Sequence, residues 1–150
     1  GRLPIIVGGS GKQKTPMMAG RFADEYNSFA GDLDALVPRV DVMRRSADEA
    51  GRDPDEVLVS IAMPTFVGAD DADYREVLSE AAADRGVTPD ELAQRLTDRA
   101  IPHGPADRVA TYVADAAEAG VGRVYLQEYK RLDAVDTERL DRVLAALDES

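Results

Sequence analysis

The chain has no cysteine and a single histidine, His103, in 150 residues. Without cysteine there is no disulfide framework and no thiolate metal site. One histidine excludes any multi-histidine metal centre. No apolar run approaches the ~18 residues of a membrane span, and no secretory signal is expected. A cytoplasmic protein without membrane attachment is therefore expected. Lysine is scarce, with three against 15 arginines, and the 29 acidic residues outweigh the 18 basic ones to a net charge of −11. Charge of that sign repels nucleic acid and anionic membrane, which are bound mainly through Lys and Arg, so neither is an expected partner. Repeats, low-complexity tracts and linkers are missing too. An initiator methionine is also lacking: Gly1-Arg2-Leu3-Pro4 runs straight into an apolar segment. We expect the C-terminal part of a longer protein.

What is present is globular. Hydrophobic content is 44% and charged content 31%, and the length suits one domain over residues 1–150. Residues 3–7 form a short continuous apolar run, as in a strand buried on both faces. Thr15-Pro16 reads as N-cap and first position of a helix whose inner face holds Met17, Met18, Phe22 and Ala23. Residues 26–29 are a short candidate strand. Gly31-Asp32 opens a second helical region with Leu33, Leu36, Val37, Val40, Met43 and Ala47 at helical spacing, and Pro38 favours a late start. Residues 57–67 contain the clearest strand, closed by Pro64 and Gly68. An acidic helix over 70–85 follows, then a capping box at Thr88-Pro89-Asp90-Glu91 opening another helix. A helix after His103-Gly104-Pro105 places Val109, Val113, Ala116 and Ala117 on one face. A strand over 121–127 precedes a last helix, capped by Asp136, with Leu140, Val143, Leu144 and Leu147 inward. Strand and helix alternate about four times, the pattern of parallel strands with crossover helices.

The stretch from Ile5 to Thr15, IIVGGSGKQKT, carries the chemistry. A Walker A loop ending at Gly11-Lys12 would need glycine at position 6 and Ser or Thr at position 13; Ile6 and Gln13 stand there. A dinucleotide fingerprint starting at Gly9 lacks its third glycine, because Lys14 holds that position. Generic anion binding survives. Glycines admit an anion to the backbone, and successive N–H groups and a helix N-terminus favour negative charge. Residues 1–23 contain Arg2, Lys12, Lys14 and Arg21 and no acid, a positive island in an acidic chain. Lys130 and Arg131 follow the last strand, on the same face if the sheet is parallel. The competing view is a tight strand-to-helix turn with solvated lysines.

The loop, the helix after it and the next strand together resemble the luciferase-like monooxygenase superfamily, in particular its branch using the deazaflavin coenzyme F-420. The resemblance rests on Gly8-Gly9-Ser10-Gly11, Lys12-Gln13-Lys14-Thr15, Gly20-Arg21-Phe22-Ala23-Asp24 and Tyr26-Asn27. Ala50-Gly51-Arg52-Asp53-Pro54, Gly104-Pro105-Ala106-Asp107-Arg108-Val109 and Ala119-Gly120-Val121-Gly122-Arg123-Val124 extend it over nearly the whole chain. The resemblance implies an α/β fold of the parallel β/α-barrel type, of which this chain is the last four βα units of an eight-stranded barrel. It implies that Gly8, Gly9, Ser10, Gly11 and Lys12 hold the cofactor phosphate, with Lys12 or Lys14 adding charge. Gln13 and Thr15 are further candidates, and Asn27 is placed to reach the ring or ribityl chain. The commoner family loop has an acidic residue before Lys-Lys, so which lysine acts stays open.

Hydride transfer to or from a deazaflavin occurs on the cofactor ring, and no catalytic pair is evident in this chain. His103, a tempting base, reads as a loop residue between prolines. Asp70, Asp71 and Asp73 suit a helix start rather than a metal. Glu128 is a substrate-side candidate, and Met17, Met18, Met43 and Met63 are expected in the core. The reading is a fragment of an oxidoreductase acting on a small-molecule substrate with coenzyme F-420. The alternatives are an FMN-dependent monooxygenase of the same fold and a non-catalytic half-barrel that binds a phosphorylated ligand. Extra lysines suit the longer, more acidic F-420 tail. A half-barrel exposes its inner face and edges, so a homo-oligomer or a complementary N-terminal half is the expected partner.

Overall fold

The computed structural model describes residues 2–29, 31–64, 66–127 and 136–148. Its elements in chain order are β1 (Ile6–Gly8), α1 (Lys14–Phe22), β2 (Glu25–Phe29), α2 (Leu33–Glu49), a 3-10 turn (Pro54–Glu56) and β3 (Leu58–Pro64). Then come β4 (Val67–Gly68), α3 (Asp71–Asp84), α4 (Pro89–Asp98), β5 (Gly104–Pro105), α5 (Ala106–Glu118), β6 (Arg123–Gln127) and α6 (Thr137–Asp148). The expected alternation is there. A four-stranded sheet runs β1-β2-β3-β6, and β4 and β5 form a second, two-stranded sheet. β1 pairs with β2, β2 with β3, and β4 with β5, all in parallel. Among the described residues no helix is long and apolar enough to cross a membrane.

The chain divides into two compact units, Gly1–Met63 with Ala116–Tyr125, and Pro64–Asp115 with Leu126–Ser150. In the first unit, β3 is the strand buried on both sides. Tyr26, Val59, Ile61 and Met63 from the sheet and Leu36, Val40, Met43 and Ala47 from α2 are buried. α1 joins them through small residues. Pro16, Ala19, Gly20 and Ala23 are buried, and a Cβ on Gly20 would stand 2.2 Å from the Met43 carbonyl oxygen. The two helices meet backbone to backbone at that point. Arg52 then locks the join, donating to the Gly20 and Ala23 carbonyls at 2.6 and 2.7 Å, at the orphan end of α1. Gly51 supplies the left-handed residue (φ 70°) that turns the chain out of α2.

Several expectations are corrected. The apolar run 3–7 is not buried on both faces: the strand is Ile6–Gly8, Leu3, Ile5 and Ile6 are exposed, and among the described residues β2 is the one strand beside β1, at the end of the sheet. α1 begins at Lys14, with Gln13 rather than Thr15 as N-cap, because Met17 N already reaches back to Gln13 O at 3.0 Å. Pro16 sits at the third helical position, where a missing N–H costs nothing. Met17, Met18 and Phe22 point outward, since the contact with α2 demands small side chains. Pro38 does not delay α2. The helix starts at Leu33, where the Asp32 side chain accepts from Asp34 N at 2.9 Å. Leu144 is exposed, and Val143 is the buried residue of α6.

In the second unit, Phe66, Leu78, Ala81, Ala82, Leu92 and Leu96 form a core, flanked by Tyr74, Val87, Ala93 and Ile101. α3 and α4 have the expected starts. Asp70 accepts from Ala72 N and Asp73 N, and Thr88 and Glu91 complete a reciprocal capping box. Asp136 accepts from Arg139 N at the start of α6.

Candidate functional site

The glycine loop joins the end of β1 to α1. Parallel register sets Gly8 beside Asn27 and Asn27 beside Ser60. Gly9 N donates to the Asn27 carbonyl at 3.0 Å, and the Tyr26 hydroxyl reaches Gly9 O at 3.4 Å, so β2 anchors the start of the loop. The sequence candidates Gly8, Gly9 and Asn27 are thus brought together. Ser10, Gly11, Lys12, Gln13 and Lys14 follow as an exposed stretch, and the half-buried Thr15 closes it. Two of the glycines are required by geometry. Gly9 adopts φ 146°, and a Cβ on Gly11 would stand 2.8 Å from Thr15 Oγ1. Gly8 has no such constraint: an added Cβ would make ordinary contacts, 3.7 Å from Asn27 O and 3.9 Å from Asn27 Oδ1.

The start of α1 is unlike the starts of α2, α3 and α4. Those carry side-chain caps at Asp32, Asp70 and Thr88 and an acid in the first turn. α1 has no side-chain cap and no first-turn acid. The N–H groups of Ser10, Gly11, Lys12 and Gln13 have no hydrogen-bond partner among the described residues. Unpartnered donors, a bare helix N-terminus and two exposed lysines make a locally electropositive surface that can take an oxyanion.

Sequence reasoning missed a polar network beside Asn27. Buried Glu25 receives Ser60 Oγ at 2.6 Å and Tyr125 Oη at 2.9 Å on Oε1, and Arg123 Nη1 at 2.8 Å on Oε2. Asn27 Nδ2 donates to Ser60 Oγ at 2.8 Å. The available signal was period two: Glu25 and Asn27, and Arg123 and Tyr125, each share one face of a strand. Asp24, from the family-like motif, ties down the chain before β1. It accepts from Ile5 N at 2.7 Å and pairs with Arg2; the Ile5 bond, then the Arg2 charge, hold its carboxyl below the usual range.

In the second unit, His103 is engaged at both ring nitrogens. Nδ1 lies 2.6 Å from Tyr74 Oη and Nε2 3.1 Å from Thr97 Oγ1, and the ring stacks on Tyr74. Burial, then the neighbouring Arg108 charge, push its pKa below the ordinary value. Asp73 bonds Ala69 N and Arg139, and Asp70 caps α3, so these acids serve local structure. Glu128, Lys130 and Arg131 lie outside the described residues.

The sequence profile of a family described as luciferase-like monooxygenase matches residues 1–123. No curated protein is a significant match. Solved structures share the fold. EDTA monooxygenase from Chelativorans sp. BNC1 is 18% identical with a TM-score of 0.71, over 99% of this chain and 45% of that one. The oxygenating constituent of 3,6-diketocamphane monooxygenase from Pseudomonas putida, in complex with FMN, is 20% identical with a TM-score of 0.69, over 96% and 46%. Coenzyme F-420-dependent tetrahydromethanopterin reductase from Methanopyrus kandleri is 18% identical with a TM-score of 0.66, over 95% and 49%. The chain spans about half the length of each.

Proposed function

The chain belongs to the luciferase-like monooxygenase family, and from that premise we propose that it is the phosphate-holding half of an oxidoreductase barrel using coenzyme F-420. The observation that carries the reading is the bare start of α1: no side-chain cap, no first-turn acid, and a run of N–H groups between Gly9 and Lys14 without a partner among the described residues. Ser10, Gly11, Lys12 and Gln13 would hold a cofactor phosphate through their backbone. Lys12 and Lys14 would add charge, Thr15 would order the loop against Gly9 and Gly11, and Gly8 would leave room for the cofactor's approach. These residues fit the group, since they offer donors and positive charge where a capped helix would offer neither. When bound, the deazaflavin supplies hydride chemistry; the chain binds and orients it. A small organic molecule is the proposed substrate.

FMN is the second reading, because it has the same phosphate chemistry and one of the fold relatives holds it. Two lysines within three residues favour the more acidic F-420 tail. Native mass spectrometry of the full chain with equimolar coenzyme F-420 and FMN, beside Lys12→Ala/Lys14→Ala, tests both. We expect retention of F-420 by the parent and about tenfold weaker retention by the double variant, the effect of losing two favourable charges. Equal retention by parent and variant overturns the cradle. Preferential retention of FMN replaces F-420 with the second reading.

A further inference from the structure

One chain of hydrogen bonds in the first unit has a fixed direction. Ser60 Oγ lies 2.6 Å from Glu25 Oε1, and a hydroxyl has a single proton. Glu25 also receives Tyr125 and Arg123, so its carboxylate acts as acceptor throughout. The Ser60 proton is therefore spent on Glu25, and Ser60 Oγ faces Asn27 as an acceptor. The Asn27 atom opposite it, 2.8 Å away, must be the amide nitrogen. Because Gly8, Asn27 and Ser60 are side by side in the register, the amide spans from β3 towards β1. Its Oδ1 lies on the Gly8 side, 3.9 Å from where a Cβ on Gly8 would be. Gly8 is exposed and has no side chain, so the space above it borders an acceptor of set polarity.

We propose that Glu25 and Ser60 are positioning residues that lock Asn27 as a hydrogen-bond acceptor beside Gly8, so that this subsite takes an N–H or O–H donor of the ligand rather than its anion. The inference rests on the cofactor reading above and divides the labour within it. The loop N–H groups take the phosphate, and Asn27 takes a donor. In a flavin or deazaflavin that donor is the ring imide N–H or a hydroxyl of the sugar-like chain.

Two measurements on the full chain test this. Without ligand, side-chain amide NMR should show one exchange-protected Asn27 Nδ2 proton that loses protection in Ser60→Ala. Two equally exchanging protons in the parent overturn the proposal, whatever the cofactor. In FMN titrations, Ser60→Ala should weaken binding about five- to tenfold, as for one lost oriented hydrogen bond. Glu25→Gln keeps the shape but frees Ser60 to turn its proton to Asn27, and should weaken binding about two- to fivefold. Binding by parent and both variants alike overturns the proposal and leaves the cofactor reading standing. Binding of neither FMN nor coenzyme F-420 by the parent overturns the cofactor reading and the donor subsite with it. FMN methylated at the imide nitrogen separates the two donors. Loss of the Ser60→Ala effect assigns the ring N–H, and its persistence assigns the hydroxyl; either result supports the subsite.

Discussion

Gly20 and Gly8 show how differently one residue type is used. A Cβ at Gly20 would meet the Met43 carbonyl oxygen at 2.2 Å and Ala47 N at 2.9 Å, both backbone atoms that cannot swing aside. At Gly8 it would find ordinary contact distances. Gly20→Ala should therefore lower unfolding stability by roughly 1–3 kcal/mol, and Gly8→Ala by less than about 0.5 kcal/mol, in urea titrations. Equal losses would refute the distinction between a glycine the fold requires and one it tolerates. Neither role was legible in the sequence, where both glycines belong to one family-like motif. His103 makes a second prediction. Its folded pKa lies below the ordinary value, so the folded ring stays neutral while the unfolded ring, titrating near 6.5, is already charging. Above that pH both states are neutral and the shift contributes nothing. As pH falls below it, the unfolded state takes up the proton first, and stability drops until the folded ring protonates too. The fall in Tm from about pH 7.5 to about pH 5 should be smaller in His103→Gln than in the parent, and an identical fall would refute this.

Helix starts divide at the scale of elements. α3 and α4 have self-contained starts, written in adjacent residues as Asp70 and as Thr88 with Glu91, and the sequence showed both. Thr88→Ala should cost about 1 kcal/mol, seen as a lower Tm of the full chain. An unchanged Tm would mean that packing of Leu92 and Leu96, rather than the cap, decides whether α4 forms. α1 is the exception. Its first turn has no side-chain cap, and its inner face is built from Pro16, Ala19, Gly20 and Ala23. Hydrophobic periodicity weights large side chains, so it chose Met17, Met18 and Phe22. Close helix packing selects small ones, and the large residues face outward.

For the whole molecule, the governing feature is what the first unit leaves uncovered. Leu3, just before β1, is 84% exposed, Ile6 on β1 54% and Phe29 at the end of β2 51%. Among the described residues β1 has a neighbour on one side, which leaves a strand edge able to pair again. The chain on its own should associate with itself, or with a complementary half if one is supplied. Sedimentation velocity at micromolar concentration should show species heavier than the 16.2 kDa monomer. A single monomeric boundary would refute it.

By itself, the sequence determined the alternation of strands and helices, the starts of α3, α4 and α6, and the glycine loop with its positive charge. These depend on residues close together in the chain, where spacing, capping chemistry and backbone preference act directly. Only the tertiary structure decided which face of α1 is buried, that β1 lies at an edge, and that Glu25, Ser60, Arg123 and Tyr125 stand in one network with Asn27. Those outcomes depend on strand order and register. These bring Glu25 and Arg123, 98 residues apart, to within 2.8 Å. No local pattern records which strand will lie beside which.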